Sequence, residues 1–387
     1  MDLNPIYSGM GVTIFEKMSA LCRDGSRINL GQGFPDDSGP PELLAAAGKA
    51  LLERSNQYPP SPGVPELRDA VATWYYRSQG LDLSRDNVVV TSGATEALAV
   101  TILASISPGD EVILFAPVYD AYAPLVRRAG GTPVFVTLRP PHWRYDGDAI
   151  EAAVTPRTRA IILNDPLNPT GTCASVEELS TIAQVCVRHD LLAICDEVWE
   201  AVRFDGQSHR SLLSFPGMAA RTIKIGSAGK IFGVTGWKIG WLCAAPALAS
   251  VLARAHQFLT FTTPPALQYA VAEGLASDAL IDERREGWAQ TRAFLNSALA
   301  GEGFAALPNG ATWFSCIDLP GSGITLDDAG FAERSVHEGM VASIPVSAFY
   351  ETDAVTSVLR LCHCKAESTL AEGVARLARF RGGLASR

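Results

Sequence analysis

Seven short apolar runs recur between residues 87 and 245, and they predict strands at 87–93, 111–117, 132–138, 159–166, 192–198, 221–227 and 239–245. Helix-like stretches such as Val176 to His189 separate most of them. This alternation predicts an α/β fold built on a mainly parallel seven-stranded sheet with helices on both faces. Beyond about residue 283 the pattern changes to one long helical segment, ERREGWAQTRAFLNSALA, followed by short strands and helices. That change predicts a second, smaller α+β domain. No internal repeat, low-complexity tract or extended linker interrupts the chain.

Composition narrows the class. At 387 residues the chain can bury a substantial core and would divide into two domains. A net charge of −9 with no basic run argues against nucleic-acid or anionic-membrane binding. The start, MDLNPIYSGMG, lacks the regions of a signal peptide, and no apolar run reaches the length of a membrane span. A cytoplasmic enzyme is the expectation. Eight cysteines are scattered without disulfide or zinc spacing, and Cys195, Cys243 and Cys316 fall in apolar strands as small core residues. Cys362-His363-Cys364 has the look of a metal tract. On a strand, however, its cysteines face one way and its histidine the other, and no second ligand pair has zinc spacing, so packing is expected and no metal.

The segment GSAGKIFGVTGWKIGW, Gly226 to Trp241, carries the strongest chemical signal. It sets Lys230 among small residues at the end of an apolar strand, where a lysine could react with an aldehyde cofactor. Ser227, Ala228 and Gly229 allow close backbone approach, and Lys238 with the apolar flanks could lower the amine pKa. NDPLNPTGT, Asn164 to Thr172, follows a second strand and offers the amide of Asn168. LLAICDEVWE places Asp196 directly after a third, where a carboxylate is disfavoured unless paired, for instance with a protonated pyridine nitrogen. NVVVTSGATEALAVTIL reads strand, turn, helix, and the backbone around Gly93, Ala94 and Thr95 would form an anion site. Taken singly, each has a plain alternative: a solvated loop lysine, a turn asparagine, a helix cap, an ordinary connection. Together they share the C-terminal ends of predicted strands, where open α/β sheets bind ligands.

With those residues in view, the chain resembles the class I and II aminotransferases of the aspartate aminotransferase superfamily, pyridoxal-phosphate enzymes of fold type I. It is most similar in look to kynurenine aminotransferase/glutamine transaminase K and the bacterial methionine aminotransferases. The markers are GVTIFEKMSAL, INLGQGFPD, NQYPPSPGVPELR, the lysine segment, SIPVSAFY and LRLCHCKAESTL, which together span nearly the whole chain. The resemblance implies pyridoxal 5′-phosphate as cofactor, with Lys230 attached to its aldehyde and Asp196 at its ring nitrogen. It further implies Asn168 as donor to the ring oxygen through a cis Asn168–Pro169 bond, and Tyr119 stacked on the ring. Ala94, Thr95, Ser227 and Lys238 match the phosphate cradle, with Tyr58 reaching it from a neighbouring subunit of a homodimer. Gly33 and Arg360 match the substrate-carboxylate site, a task for which the planar guanidinium is suited.

Two positions depart from the family pattern. Trp199 stands where DEVY would supply a tyrosine hydroxyl, so its indole is expected to miss the ring oxygen, and Trp313 replaces a tyrosine or phenylalanine. The resemblance also implies that residues 1–39 join the small domain formed by residues 283–387, leaving 40–282 as the cofactor-binding domain. Ile14, Phe15, Tyr119, Phe261, Phe349 and Tyr350 are candidates for an apolar substrate pocket, led by Phe261 and Tyr350. The expected reaction is transamination by a ping-pong route between an aromatic, methionine or glutamine-like amino acid and a 2-oxo acid. Cysteine-conjugate β-elimination is the alternative chemistry. A non-catalytic sensor is the alternative class, disfavoured by the presence of Lys230, Gly33 and Arg360.

Overall fold

The computed structural model describes residues 3–385. A short β1 (Ile28–Asn29) precedes the seven strands of the main sheet: β2 (Val88–Ser92), β3 (Glu111–Ala116), β4 (Thr132–Thr137), β5 (Thr158–Asn164), β6 (Leu192–Asp196), β7 (Thr222–Ser227) and β8 (Ile239–Cys243). After them come β9 (Ala305–Ala306), β10 (Phe314–Asp318), β11 (Val341–Ala342), β12 (Ile344–Pro345) and β13 (Val358–Cys362). The main sheet has the order β2-β8-β7-β6-β5-β3-β4, with β8 antiparallel to both neighbours and every other pair parallel. All seven strands expected from the sequence are present. The last is shorter than expected, ending at Cys243, because Pro246 opens the helix Pro246–Gln257 with Ala245 as its cap.

Alternation along the strands divides the core. Val112, Leu114, Ile162 and Ile194 pack on one face against the helices Ala94–Ser105 and Pro246–Gln257, while Ile113, Ile161, Leu163 and Cys195 pack on the other against Val176–Arg188. The last of these helices starts with a capping box in which Ser175 and Glu178 satisfy each other's backbone N–H groups. A separate core surrounds the antiparallel sheet β12-β13-β10-β9 and includes Met18, Leu30, Leu295 and Leu377. The N-terminal β1 pairs with β11 there. The long helix begins at Asp278, five residues before the position expected, because the Ser277 hydroxyl accepts from the Leu280 N–H and caps it.

A buried ionic network stiffens the middle of the sheet. Lys224 on β7 is fully buried, and its ammonium lies between Glu197 and Glu200. Glu197 also meets His209 Nε2 at 2.8 Å and accepts from the Ser211 hydroxyl at 2.8 Å. Glu200 accepts from the Tyr75 hydroxyl at 2.7 Å, which in turn accepts from Trp241 Nε1 at 2.8 Å. Burial alone would raise Glu197, but Lys224 and His209 outweigh it and hold this carboxyl at about 2. Lys224 is held above its ordinary value by the same pairing.

Removing the cation while leaving both glutamates strands buried charge, so Lys224→Met should destabilise the protein by about 3–5 kcal/mol. Chemical denaturation at neutral pH measures this, and a loss below about 1 kcal/mol would mean that one glutamate is protonated. Because Glu197 is depressed, its contribution is present above about pH 4 and is lost as pH falls toward 2.

Candidate active site

The C-terminal ends of β5, β6 and β7 open into a cavity of about 430 Å³, reached also by Gly93 after β2 and Lys238 before β8. Register sets this alignment: Asn164 pairs with Asp196, and Ser227 with Gly240. Asp196 is 5% exposed, and its Oδ2 accepts from the Tyr122 hydroxyl at 2.6 Å. Its Oδ1 has no hydrogen-bond partner. Burial raises this carboxyl to about 6, against the lowering effects of the Tyr122 bond and the Lys230 charge. The backbone beneath it is held by Asn164, whose side-chain amide donates to the Asp196 carbonyl at 2.9 Å. The same Asn164 accepts the Asn168 N–H at 2.8 Å, and the Asn168–Pro169 bond is cis as expected.

Lys230 follows β7 in the turn Ala228–Ile231 and lines the cavity. Its amine lies 4.8 Å from the ring centre of Trp199 and 5.0 Å from that of Trp313. The two indoles meet edge to face at 4.9 Å, with Phe314 and Trp288 extending the aromatic wall. Burial lowers the amine to about 8; among the charges, Arg360 pushes it further down, while Cys364, Cys362 and Asp196 oppose the shift. Lys238 was expected to be the lowering cation, but the leading one is Arg360.

Lys238 instead lies against Gly93 at the start of a helix, the place expected for an anion cradle. It adopts a left-handed conformation with φ +54°, and a Cβ on Gly93, itself at φ +76°, would sit 3.0 Å from its Nζ. Only glycine fits there. The helix Ala94–Ser105 starts at this point with no side chain capping its N–H groups. Ser227 lines the same end of the cavity, and Thr95 hydrogen-bonds Tyr119, whose hydroxyl burial raises above its ordinary value. Behind the cradle, Glu96 is fixed by His256 Nδ1 at 2.7 Å and by the Thr260 hydroxyl at 2.6 Å.

Arg360 on β13 is 2% exposed and stacks 4.0 Å from the centre of Phe314, with Phe15 and Phe349 beyond. Its Nη1 donates to Asn168 Oδ1 at 3.0 Å and its Nη2 to the Gly31 carbonyl at 2.7 Å, while Nε has no partner. Since guanidinium only donates, this contact assigns the oxygen of Asn168 to the arginine and leaves its NH₂ turned elsewhere. Burial lowers Arg360 to about 10.

Of the residues expected from the sequence, Gly33, Ala94, Thr95, Tyr119, Asn168, Asp196, Trp199, Ser227, Lys230, Lys238 and Arg360 all line the cavity. Tyr350 does not: its hydroxyl donates to the Leu138 carbonyl at 3.0 Å, tying it to the core instead of the substrate space. Phe261 also stays outside, 40% exposed, edge to face with Tyr58, which is 82% exposed. Phe349 packs against Phe15 beneath Arg360. Tyr122, Asn164, Asp120, Gln32 and Phe314 were missed. Tyr122 lies three residues after Tyr119, a spacing that puts both on one side of a helical turn and could have revealed it.

Comparison with known proteins shows the family of the chain. The family model "Aminotransferase class I and II" matches residues 26–377. The probable N-succinyldiaminopimelate aminotransferase of Mycobacterium tuberculosis is 42% identical over 94% of this chain and 95% of its own. Its solved structure superposes with a TM-score of 0.93 at 41% identity, covering 98% of this chain and 100% of that one. The methionine aminotransferase of Escherichia coli is 38% identical over 95% of this chain and 96% of its own.

The environment of Lys230 has a direct consequence. In the cofactor-free protein its amine should react with a lysine-selective reagent with a midpoint near pH 8, against about 10.4 for exposed lysines. Peptide-resolved labelling across pH checks this. A midpoint above about 10 would show that the aromatic wall does not keep the amine dry.

Proposed function

The chain belongs to the class I and II aminotransferases and is a pyridoxal-phosphate-dependent transaminase, and from that premise we propose that it acts on amino acids with uncharged side chains, aromatic, methionine-like or glutamine-like, with a 2-oxo acid as acceptor. Four features of the cavity suit the cofactor. Asp196 Oδ1 is buried without a partner and is suited to a protonated ring nitrogen; the Asn168 NH₂ is available to a ring oxygen. The uncapped N–H groups at Ala94 and Thr95, with Ser227 and Lys238, suit a phosphate. Lys230 lines the same cavity as all three, with its amine lowered by burial.

When bound, pyridoxal 5′-phosphate supplies an aldehyde carbon to carry the amino group and a protonated ring to draw electron density from the substrate α-carbon. Asp196, at about 6, is ionised at neutral pH and holds that ring nitrogen protonated. Lys230 Nζ, at about 8, has a neutral fraction near neutrality and would be the group that takes and holds the substrate α-proton. Arg360, through Nε and its remaining N–H, binds the α-carboxylate beside Gly33. Trp199 supplies no hydroxyl, so Asn168 is the ring-oxygen donor and the indole holds water away from Lys230.

One observation carries the side-chain preference. Among the described residues lining the cavity the cations are Lys230, Lys238 and Arg360, each already engaged, and the charge left over is the carboxylate of Asp120. Phe15 and Phe314 line the same space. Among the described residues of this chain that line the cavity, a second carboxylate on the substrate meets no uncommitted cation. The exposed Tyr58 and Phe261, with Phe258 at 85% and Leu52 at 88%, support a homodimer in which Tyr58 reaches the phosphate of the neighbouring subunit. Residues 40–282 would then form the cofactor-binding domain, with 1–39 and 283–387 as the small one. Among the described residues no helix is long and apolar enough to cross a membrane, in keeping with a cytoplasmic enzyme.

Incubating the enzyme with a panel of amino acids and 2-oxo acids tests this reading. Methionine, phenylalanine and glutamine should each yield their 2-oxo acid with ping-pong kinetics, and kcat/KM for glutamate should lie about ten-fold or more below them. Asp120→Asn should narrow that gap. Release of pyruvate and ammonia from cysteine conjugates without an acceptor, in place of exchange, would overturn it. Tyr122→Phe removes a donor to Asp196, so cofactor affinity should fall by about ten-fold while the fold persists, as fluorescence titration would record. After borohydride reduction, cofactor-derived mass belongs on the Lys230 peptide; finding it on Lys238 or Lys224 would refute the assignment.

A further inference from the structure

Near Lys230 lie two sulfurs that transamination does not use. Cys362 ends β13 and Cys364 follows two residues later; they are 0% and 3% exposed. On a continuing strand, residues two apart are separated by about 6.6–6.8 Å. Here the chain turns instead: the Lys365 N–H donates to the His363 carbonyl at 2.8 Å, making a three-residue turn centred on Cys364. The turn folds the second thiol back, and the two sulfurs stand 3.2 Å apart in a shared hydrogen bond. His363 points away, bonded to the Thr312 carbonyl at 3.0 Å.

The position of the pair connects two spaces. On one side are Lys230, on whose charge both sulfurs act, and Arg360, two residues before Cys362. On the other, Cys364 lines a surface cleft with Asp36, Arg284, Trp288 and Lys365. The Lys365 ammonium is fixed there by Asp36 at 2.9 Å and the Phe34 carbonyl at 2.8 Å. Burial alone raises both thiols, but their shared hydrogen bond and the charge of Lys365 bring Cys362 down to about 7 and leave Cys364 raised. The pair therefore holds its two protons unequally: Cys362 carries the thiolate near neutral pH, and Cys364 is the sulfur that faces the cleft.

We propose that Cys362 and Cys364 form a modification site, a dithiol that a hydroperoxide converts to a disulfide and that thereby turns the enzyme down. One thiolate attacks a peroxide oxygen, the O–O bond breaks, and the departing oxygen leaves as an alcohol or water after taking a proton; the sulfur is now a sulfenic acid. The second sulfur attacks the first, the S–O bond breaks, and water leaves. Two thiols lose two electrons, and the peroxide gains them. The sulfurs need to close from 3.2 Å to about 2.05 Å, a movement within reach of side-chain rotation. The product removes the negative charge beside Lys230 and tightens the turn that follows Arg360.

The test uses the holoenzyme treated with limited hydrogen peroxide, then alkylated and digested with trypsin. The peptide Leu361 to Lys365 should be lighter than its reduced form by two hydrogen atoms and carry no alkyl group. Turnover should fall by about ten-fold and return with dithiothreitol. Cys364→Ala and Cys364→Ser should keep turnover within about two-fold and lose the peroxide response. A doubly alkylated peptide after treatment, a sulfinic acid without pairing, or a disulfide that leaves turnover unchanged would each overturn the proposal.

Discussion

A carboxylate held out of water at the end of a parallel strand is the constraint around which this molecule is arranged. Asp196 can stay ionised only if something answers its charge, and the protein answers half of it, with Tyr122 on one oxygen and nothing on the other. The next residue, Glu197, lies just past the strand end, its N–H still bonded to the Ile225 carbonyl of β7, and meets Lys224 in the buried ionic network. One strand end thus carries two acids with different fates. The satisfied one anchors β6 to β7, and the unsatisfied one faces the cavity.

Much of this was legible in the sequence because it depends on local pattern. The seven apolar runs gave their strands to within a few residues, and a lysine among small residues, an aspartate after a strand and an Asn-Pro pair pointed to their places at one sheet edge. What stayed hidden depends on pairing across the fold. Asn164 matters because register sets it opposite Asp196, and no feature of NDPLNP announces that. Tyr350 looked like a pocket aromatic, but the Leu138 carbonyl that captures its hydroxyl lies 212 positions away in sequence. The exposed pair Tyr58 and Phe261 shows the same limit, since their setting is a surface feature and not a periodicity.

The two tryptophans illustrate how a site changes character without changing its plan. Where a hydroxyl would have stood, Trp199 brings a broad apolar face, and Trp313 meets it edge on. Cation–π attraction favours the charged amine, while burial against these indoles disfavours it and lowers Lys230. The base is tuned by dryness more than by a hydrogen bond.

The bond between Arg360 and Asn168 joins two recognition tasks in one amide. Its oxygen answers the arginine, so the amide cannot rotate to present that oxygen elsewhere without giving up the bond, and its nitrogen is left for whatever the proposed site holds. If a carboxylate docks at Arg360 and a ring rests against the amide nitrogen, one rigid planar group sets the span between them, as a mechanical gauge would.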